Sequence, residues 1–178
     1  EEGWEKRGDM HPQGTAPFRA SIVARSRFIE DLVTEKQAQG VSQYVILGAG
    51  IDTFAQRKPH IATQMTVFEV DQKAPQEWKK QRLQELGFSS PSWLKFVGVD
   101  FDSGEDWWRR LCDADFDTDK TAIFASAGVS MYLTKDATLA TMRQVAALAP
   151  ESLLVMSFLL PLEMVEEEHK IGVERSIE

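Results

Sequence analysis

The run Tyr44-Val45-Ile46-Leu47-Gly48-Ala49-Gly50 constrains this chain more than any other stretch. A short apolar run rich in β-branched and aromatic residues reads as a buried strand. Gly48 and Gly50, one residue apart, then permit a tight turn with backbone dihedrals closed to other residues. At the end of a first parallel strand, such a turn lets backbone N–H groups approach a ligand closely. The same pair would also serve an ordinary strand-to-helix loop, and Gly-x-Gly alone does not decide between the two.

The rest of the chain repeats the pattern of that stretch. Residues 1–17 carry glycines and prolines without periodicity and read as an irregular arm. From Phe18 to Gln39 the spacing is helical, with Ile22, Phe28, Ile29, Leu32 and Val33 on the apolar side. Arg25 and Arg27 lie in this helix. Their spacing suits either solvated cations or partners for Glu30 and Asp31. After the glycine turn, Pro59 interrupts any helix that passes Arg57. Met65–Asp71 reads as a second strand ending in acid. Asp71 falls 21 residues after Gly50. An acid at that separation suits the hydroxyls of a ribose, whereas a helix cap is the plainer role. Glu69 and Asp71 compete for the ligand role at this stage.

A polar helix over 75–87 follows, expected to turn Trp78, Leu83 and Leu86 inward. Leu94–Val99 is a third strand, ending at Asp100-Phe101-Asp102. An acid followed by an aromatic suits a purine, the carboxylate taking the exocyclic amine and the ring packing on the base. A cap for the helix 105–114, with Phe101 in the core, is equally compatible. In that helix, one of Trp107 and Trp108 should be core and the other partly exposed. Thr121–Ser126 is a fourth strand running into a loop to Leu133. Thr134 caps a helix to about Ala149 with Leu139, Met142, either Val145 or Ala146, and Ala149 inward. Ser152–Leu159 is a fifth strand, apolar almost throughout and therefore expected at the sheet centre. Pro161 opens an acidic helix with Glu163, Glu166, Glu167 and Glu168. Five strands alternating with helices give a parallel α/β sheet with helices on both faces. The glycine turn, Asp71, Asp100 and the loop 126–132 then converge on its C-terminal edge.

Totals narrow the ligand. A net charge of −8 argues against nucleic acid, which needs a basic face. The lone Cys112 permits no intrachain disulfide and is compatible with a reducing cytoplasm, the expected location. No segment approaches the ~20 apolar residues of a membrane span, so no membrane partner is expected. His11, His60 and His169 show no ligand spacing, so no metal site is expected. A dinucleotide fingerprint wants a third glycine where Thr53 stands, which weakens the reading as an NAD-type oxidoreductase. Acids after both the second and the third strands suit a single adenosine.

Here the chain resembles a known family, the leucine carboxyl methyltransferase-like branch of the class I S-adenosylmethionine (SAM)-dependent methyltransferases. The resemblance rests on Ala24-Arg25-Ser26-Arg27-Phe28-Ile29-Glu30-Asp31 and on Val45–Thr53. It rests also on Val67-Phe68-Glu69-Val70-Asp71-Gln72, on Val99-Asp100-Phe101 and on Gly128-Val129-Ser130-Met131-Tyr132-Leu133. It implies a Rossmann-like fold over residues 18–178 and SAM as cofactor. Arg25 would hold the SAM carboxylate, Gly48 and Gly50 would pass the methionine part, and Asp71 would bind the ribose. Asp100 and Phe101 would frame the adenine. The expected reaction is O-methylation of a carboxylate or hydroxyl on a small molecule or protein, with Tyr132 and Arg57 as candidates to orient the acceptor. Two departures stand out. Ala127 replaces the family's glutamate facing the SAM amino group, which leaves Ser126 or backbone carbonyls for that task, or a weakened site. The chain also ends before the antiparallel strand pair that closes the class I sheet. That implies a C-terminally incomplete domain and an open edge that invites self-association. A SAM-binding protein with weak or no catalysis is the alternative.

Overall fold

The computed structural model describes residues 16–100 and 104–166. Five strands, β1 (Gln43–Leu47), β2 (Thr66–Gln72), β3 (Leu94–Val99), β4 (Ala122–Ser126) and β5 (Leu153–Met156), form one sheet in the order β3-β2-β1-β4-β5. Every pairing is parallel, with Ile46 opposite both Glu69 and Ala125. The helices are α1 (Ala16–Ala38), α2 (Phe54–Arg57), α3 (Pro59–Ala62), α4 (Lys73–Glu85), α5 (Trp107–Asp113) and α6 (Lys135–Ala146). Pro59 does end α2, but it also starts α3 at the first helical position, where a missing N–H costs nothing.

Alternation along the strands divides the core in two. Tyr44, Ile46, Val67, Ile123 and Ala125 pack under Ile29 and Val33 of α1 and Phe54 of α2. Val45, Leu47, Phe68, Val70 and Phe124 pack on the other face with Leu111 of α5 and Val145 of α6. There Trp108 stacks on Phe124 at 6.3 Å, and Phe116 meets Phe68 and Phe124 edge-on. Trp107 stands edge-on to Trp108.

Several expectations need correcting. The apolar β5 lies at an edge of the described sheet, not at its centre, and is only half-buried. Strand order follows the crossovers, and hydrophobicity alone does not report it. Among the described residues no antiparallel strand joins the sheet. Trp78 and Leu86 are exposed, and α4 turns Gln76 and Lys79 inward instead. The reason is Glu69, which β2 places beneath α4 with almost no exposure. Lys79 pairs with Glu69 Oε2, and the Gln76 amide donates to the Glu69 carbonyl at 2.7 Å. Gly98 lets α4 come close, since a Cβ there would lie 2.9 Å from Lys73 Cγ. Phe28 on α1 is exposed, as is Met142 on α6, where Val145 rather than Ala146 is the inward residue. The acidic segment after Pro161 forms only a 3-10 turn at Leu162–Met164, and Glu167 and Glu168 lie outside the described residues. So does most of the arm over 1–17, with α1 starting at Ala16.

The tip of β1 folds over the tip of β2. Gly48 N and Ala49 N both donate to the Val70 carbonyl, at 2.8 and 3.2 Å. Gly48 and Gly50 have φ of +67° and +47°, the left-handed region that favours glycine. A Cβ on Gly48 would also lie 2.4 Å from Val129 Cγ2. Gly48→Ala should therefore destabilise the fold by more than ~1 kcal/mol, from strain and overlap together, read as a lowered urea midpoint.

Burial pushes the Glu69 carboxyl up to about 7 from its ordinary 4.5, against the opposing pull of Lys79. Its Oε1 is buried and has no hydrogen-bond partner. The folded state thus binds this proton more tightly than the unfolded state. The group's contribution is complete below about 4.5 and is lost as pH rises through about 7. Urea titrations across this window should show stability falling as pH rises, and Glu69→Gln should flatten the slope. Lys79→Met should cost ~3–5 kcal/mol at pH 8, because it strands a buried charge, and less at pH 5.

Candidate functional site

Every strand tip of the described sheet points to one edge, and two adjoining depressions open there. The larger, about 640 Å³, is lined by Leu47, Gly48, Asp71, Trp107, Ser126 and Tyr132 among others. The smaller, about 410 Å³, is lined by Arg25, Gly48, Gly50, Asp52, Arg57 and Ala127 among others. Gly48 belongs to both, so the glycine turn forms the sill between them. A roomier depression of about 790 Å³ lies on the outer side of α4, at Trp78, Gln81 and Phe88. It is remote from the strand tips and lined largely by exposed side chains, so it is not the candidate site.

Asp71 ends β2 beside the turn. One of its carboxylate oxygens accepts from Gly50 N and the other from Gln72 N at 2.6 Å. A carboxylate offers about four lone-pair positions, so acceptor capacity remains on the half-buried group. Asp71 does not cap α4, whose N-cap residue is Gln72 with no side-chain cap bond. Glu69 is committed to Lys79 beneath α4, which leaves Asp71 as the acid at the edge.

Arg25 projects from α1 toward the loop after β4. Its Nη2 lies 3.0 Å from where a Cβ on Gly128 would stand, so glycine leaves the room that the guanidinium occupies. Arg25 Nε is buried and has no hydrogen-bond partner. Such an orphaned donor in a depression suits an anionic guest. Arg27, by contrast, pairs with Asp31 at 2.7 Å on the exposed side. Glu30 pairs with Arg57, not with Arg25 or Arg27. Glu30 holds the Arg57 guanidinium firmly charged, and Arg57 Nε also donates to Thr53 Oγ1 at 2.8 Å. Burial first, then the charges of Asp52 and Glu30, push the Tyr44 phenol upward and keep it neutral beneath this depression.

The loop after β4 closes the far wall. Ser126 is buried, and its carbonyl accepts from Ser157 N at 3.0 Å. Gly128 N donates to Ser157 Oγ at 2.8 Å, and Ser130 Oγ donates to the Ser157 carbonyl at 2.9 Å. Ser157 thus ties the loop to the end of β5. Nothing in its spacing announces this, because the bonds span 27 to 29 residues. Tyr132 sits on a 3-10 turn (Ser130–Tyr132), 83% exposed at the cleft rim. Asp100 is exposed at the end of β3, where its backbone N–H donates to Glu105 at 2.8 Å. The cap of α5 is Asp106, which accepts from Trp108 N and Arg109 N. Phe101 lies outside the described residues. The structure therefore brings Gly48, Asp71, Ser126 and Tyr132 to one depression and Arg25, Gly48, Gly50 and Arg57 to the other. Asp100 stands exposed at the neighbouring strand tip.

Comparison with known proteins bears on the family and the fold. The chain is 39% identical over 114 residues to YktD of Bacillus subtilis, whose name assigns it to the S-adenosyl-L-methionine-dependent methyltransferases. That match covers 64% of this chain and 37% of YktD. A Mycolicibacterium paratuberculosis protein with the same assignment is 38% identical over 126 residues, covering 71% of this chain and 39% of the relative. A Mycolicibacterium smegmatis protein is 33% identical over 159 residues, with 89% and 51% covered. The chain thus spans between about two-fifths and one-half of these relatives' lengths. Among solved structures, the mitomycin 7-O-methyltransferase MmcR shares the fold, with a TM-score of 0.52 at 13% identity, covering 94% of this chain and 46% of MmcR. The sequence model of the leucine carboxyl methyltransferase family matches residues 2–146, and the chain belongs to that family.

Proposed function

We propose that this chain carries the SAM-binding part of an O-methyltransferase that acts on a carboxylate or hydroxyl acceptor. The observation that supports it most is the pairing of two opposite recognition groups across the glycine turn. Asp71 stands on one side as an acceptor, and the orphaned guanidinium of Arg25 stands on the other. A nucleoside with an amino-acid tail needs both, an acceptor for ribose hydroxyls and a cation for the carboxylate. Family membership and the relatives' names point the same way.

The cofactor, when bound, supplies an electrophilic methyl on a sulfonium. The chain's own task is alignment and exclusion of water. Arg25 would hold the carboxylate, while the turn at Gly48–Gly50 would lie along the methionine part. Asp71 would fix the ribose, and Asp100 the adenine amine. Recognition of the amino group would fall to Ser126 or to backbone carbonyls, since Ala127 offers no acceptor side chain. A carboxylate acceptor attacks without a general base, whereas a hydroxyl acceptor requires one. Tyr132, exposed at the rim, would meet the acceptor. Cytoplasmic location belongs to the same reading. Among the described residues, no helix is long and apolar enough to cross a membrane.

Isothermal titration with SAM, S-adenosylhomocysteine and NAD in parallel tests this reading. SAM and S-adenosylhomocysteine should bind and NAD should not; heat from NAD alone would overturn it. Asp71→Ala and Arg25→Ala should each weaken S-adenosylhomocysteine binding by about 1–3 kcal/mol. Unchanged affinity in both variants would remove the site assignment.

A further inference from the structure

Among the described residues, little apolar contact holds α1 before Ile29. Ile29 and Val33 enter the core, while Val23 and Phe28 are 66% and 64% exposed. Arg25 lies one turn before Ile29, on the loosely packed side of that anchor. Its guanidinium nevertheless stands beside Gly128, the position from which the proposed function has it meet the cofactor carboxylate. With Nε orphaned, the setting of the helix must supply the aim.

A polar tie supplies that setting. Glu30 is only 8% exposed, and its Oε1 accepts from Arg57 Nη2. Arg57 Nε donates to Thr53 Oγ1 at 2.8 Å. Thr53 directly follows the glycine turn, and its neighbour Asp52 accepts from Phe54 N at 2.7 Å. One planar guanidinium therefore links α1 to the segment that leaves the turn. Its fixed fork takes a carboxylate and a hydroxyl at once, which an ammonium cannot copy.

We propose that Glu30 and Arg57 are positioning residues: a latch that locks α1 against the exit of the glycine turn and so aims Arg25 at the cofactor carboxylate. The latch rests on the proposed role of Arg25. Arg57 then acts through Arg25 and does not orient the acceptor. Misplacement of a charged partner by an ångström loses most of a charge-assisted bond, so the latch should matter for the amino-acid tail and not for the nucleoside.

The test compares two ligands by calorimetry. S-adenosylhomocysteine carries the amino-acid tail, and 5′-methylthioadenosine keeps the nucleoside thioether without it. Arg57→Met and Glu30→Gln should each weaken S-adenosylhomocysteine by about tenfold and leave 5′-methylthioadenosine within about twofold. Arg57→Met added to Arg25→Ala should cost nothing further, because both act on one interaction. Reversing the pair, Glu30→Arg with Arg57→Glu, should restore most of the lost affinity. Thr53→Val, which strands no buried charge, should weaken S-adenosylhomocysteine by about twofold to threefold and serves if the charge variants do not fold. Equal losses for both ligands, or multiplying losses for Arg25→Ala and Arg57→Met, would overturn the latch. Failure of the unaltered chain to bind either ligand is a separate outcome; it removes the functional reading and the latch with it.

Discussion

The cleft depends on the way one strand tip is hydrogen-bonded over its neighbour. Gly48 N and Ala49 N share the Val70 carbonyl, and Gly50 N takes the Asp71 carboxylate. Three successive amides are thus committed to the end of β2. Two left-handed glycines are what allow a chain leaving a parallel strand to turn back in this way. Val129 closes on Gly48 from the opposite side. The sill between the two depressions is therefore backbone, braced on both flanks, and its position moves only if β2 or the loop after β4 moves. Asp71 helps to build that sill and stands at its end with acceptor capacity to spare.

The two faces of the sheet are held by different physics. On the α5 and α6 face, Phe68, Phe116, Phe124 and Trp108 form a continuous aromatic packing. On the other face, polar ties recur at the places where a helix must be set in one orientation. Lys79 and Gln76 fix α4 on Glu69, and Arg57 fixes α1 on Glu30. The Lys79–Glu69 pair is buried and the Arg57–Glu30 pair is half-exposed on the arginine side; neither contributes much net stability, the first because of desolvation and the second because of solvent screening. They are unforgiving about geometry, however, because each must be satisfied by one partner at one distance. The helices they hold lie beside Asp71 and carry Arg25, the two groups on which the proposed function rests.

Much of this was legible in the residues. The five strands, the glycine turn and the acid 21 residues beyond it follow from local signals of pleat, turn and spacing, which a linear chain displays directly. Hydrophobic periodicity misleads where the core is polar. It assigned Trp78 and Leu86 to the interior of α4, because it counts hydrophobicity and could not know that Glu69 waits beneath Gln76 and Lys79. It placed β5 at the centre because an apolar strand suits a doubly covered position, yet the crossovers put it at an edge. Arg25 was indistinguishable from Arg27 by spacing, and only likeness to a family separated them. The structure separates them physically, since Arg27 is neutralised by Asp31 in solvent while Arg25 is turned toward Gly128.

The amino-acid order alone settled the fold class, the edge at which a ligand would sit and the family, since each rests on local pattern and on motifs in a fixed order. Folding decided which carboxylate stands at the cleft edge, which arginine faces the cleft and how Ser157 and Arg57 tie its walls. The ties of Arg57 to Glu30 and of Ser157 to the loop after β4 join residues 27 to 31 positions apart, Asp71 meets Gly50 across 21, and burial makes one charged partner acceptable and another costly. No local window contains them, because the energy that selects them exists only once the sheet has brought its tips together.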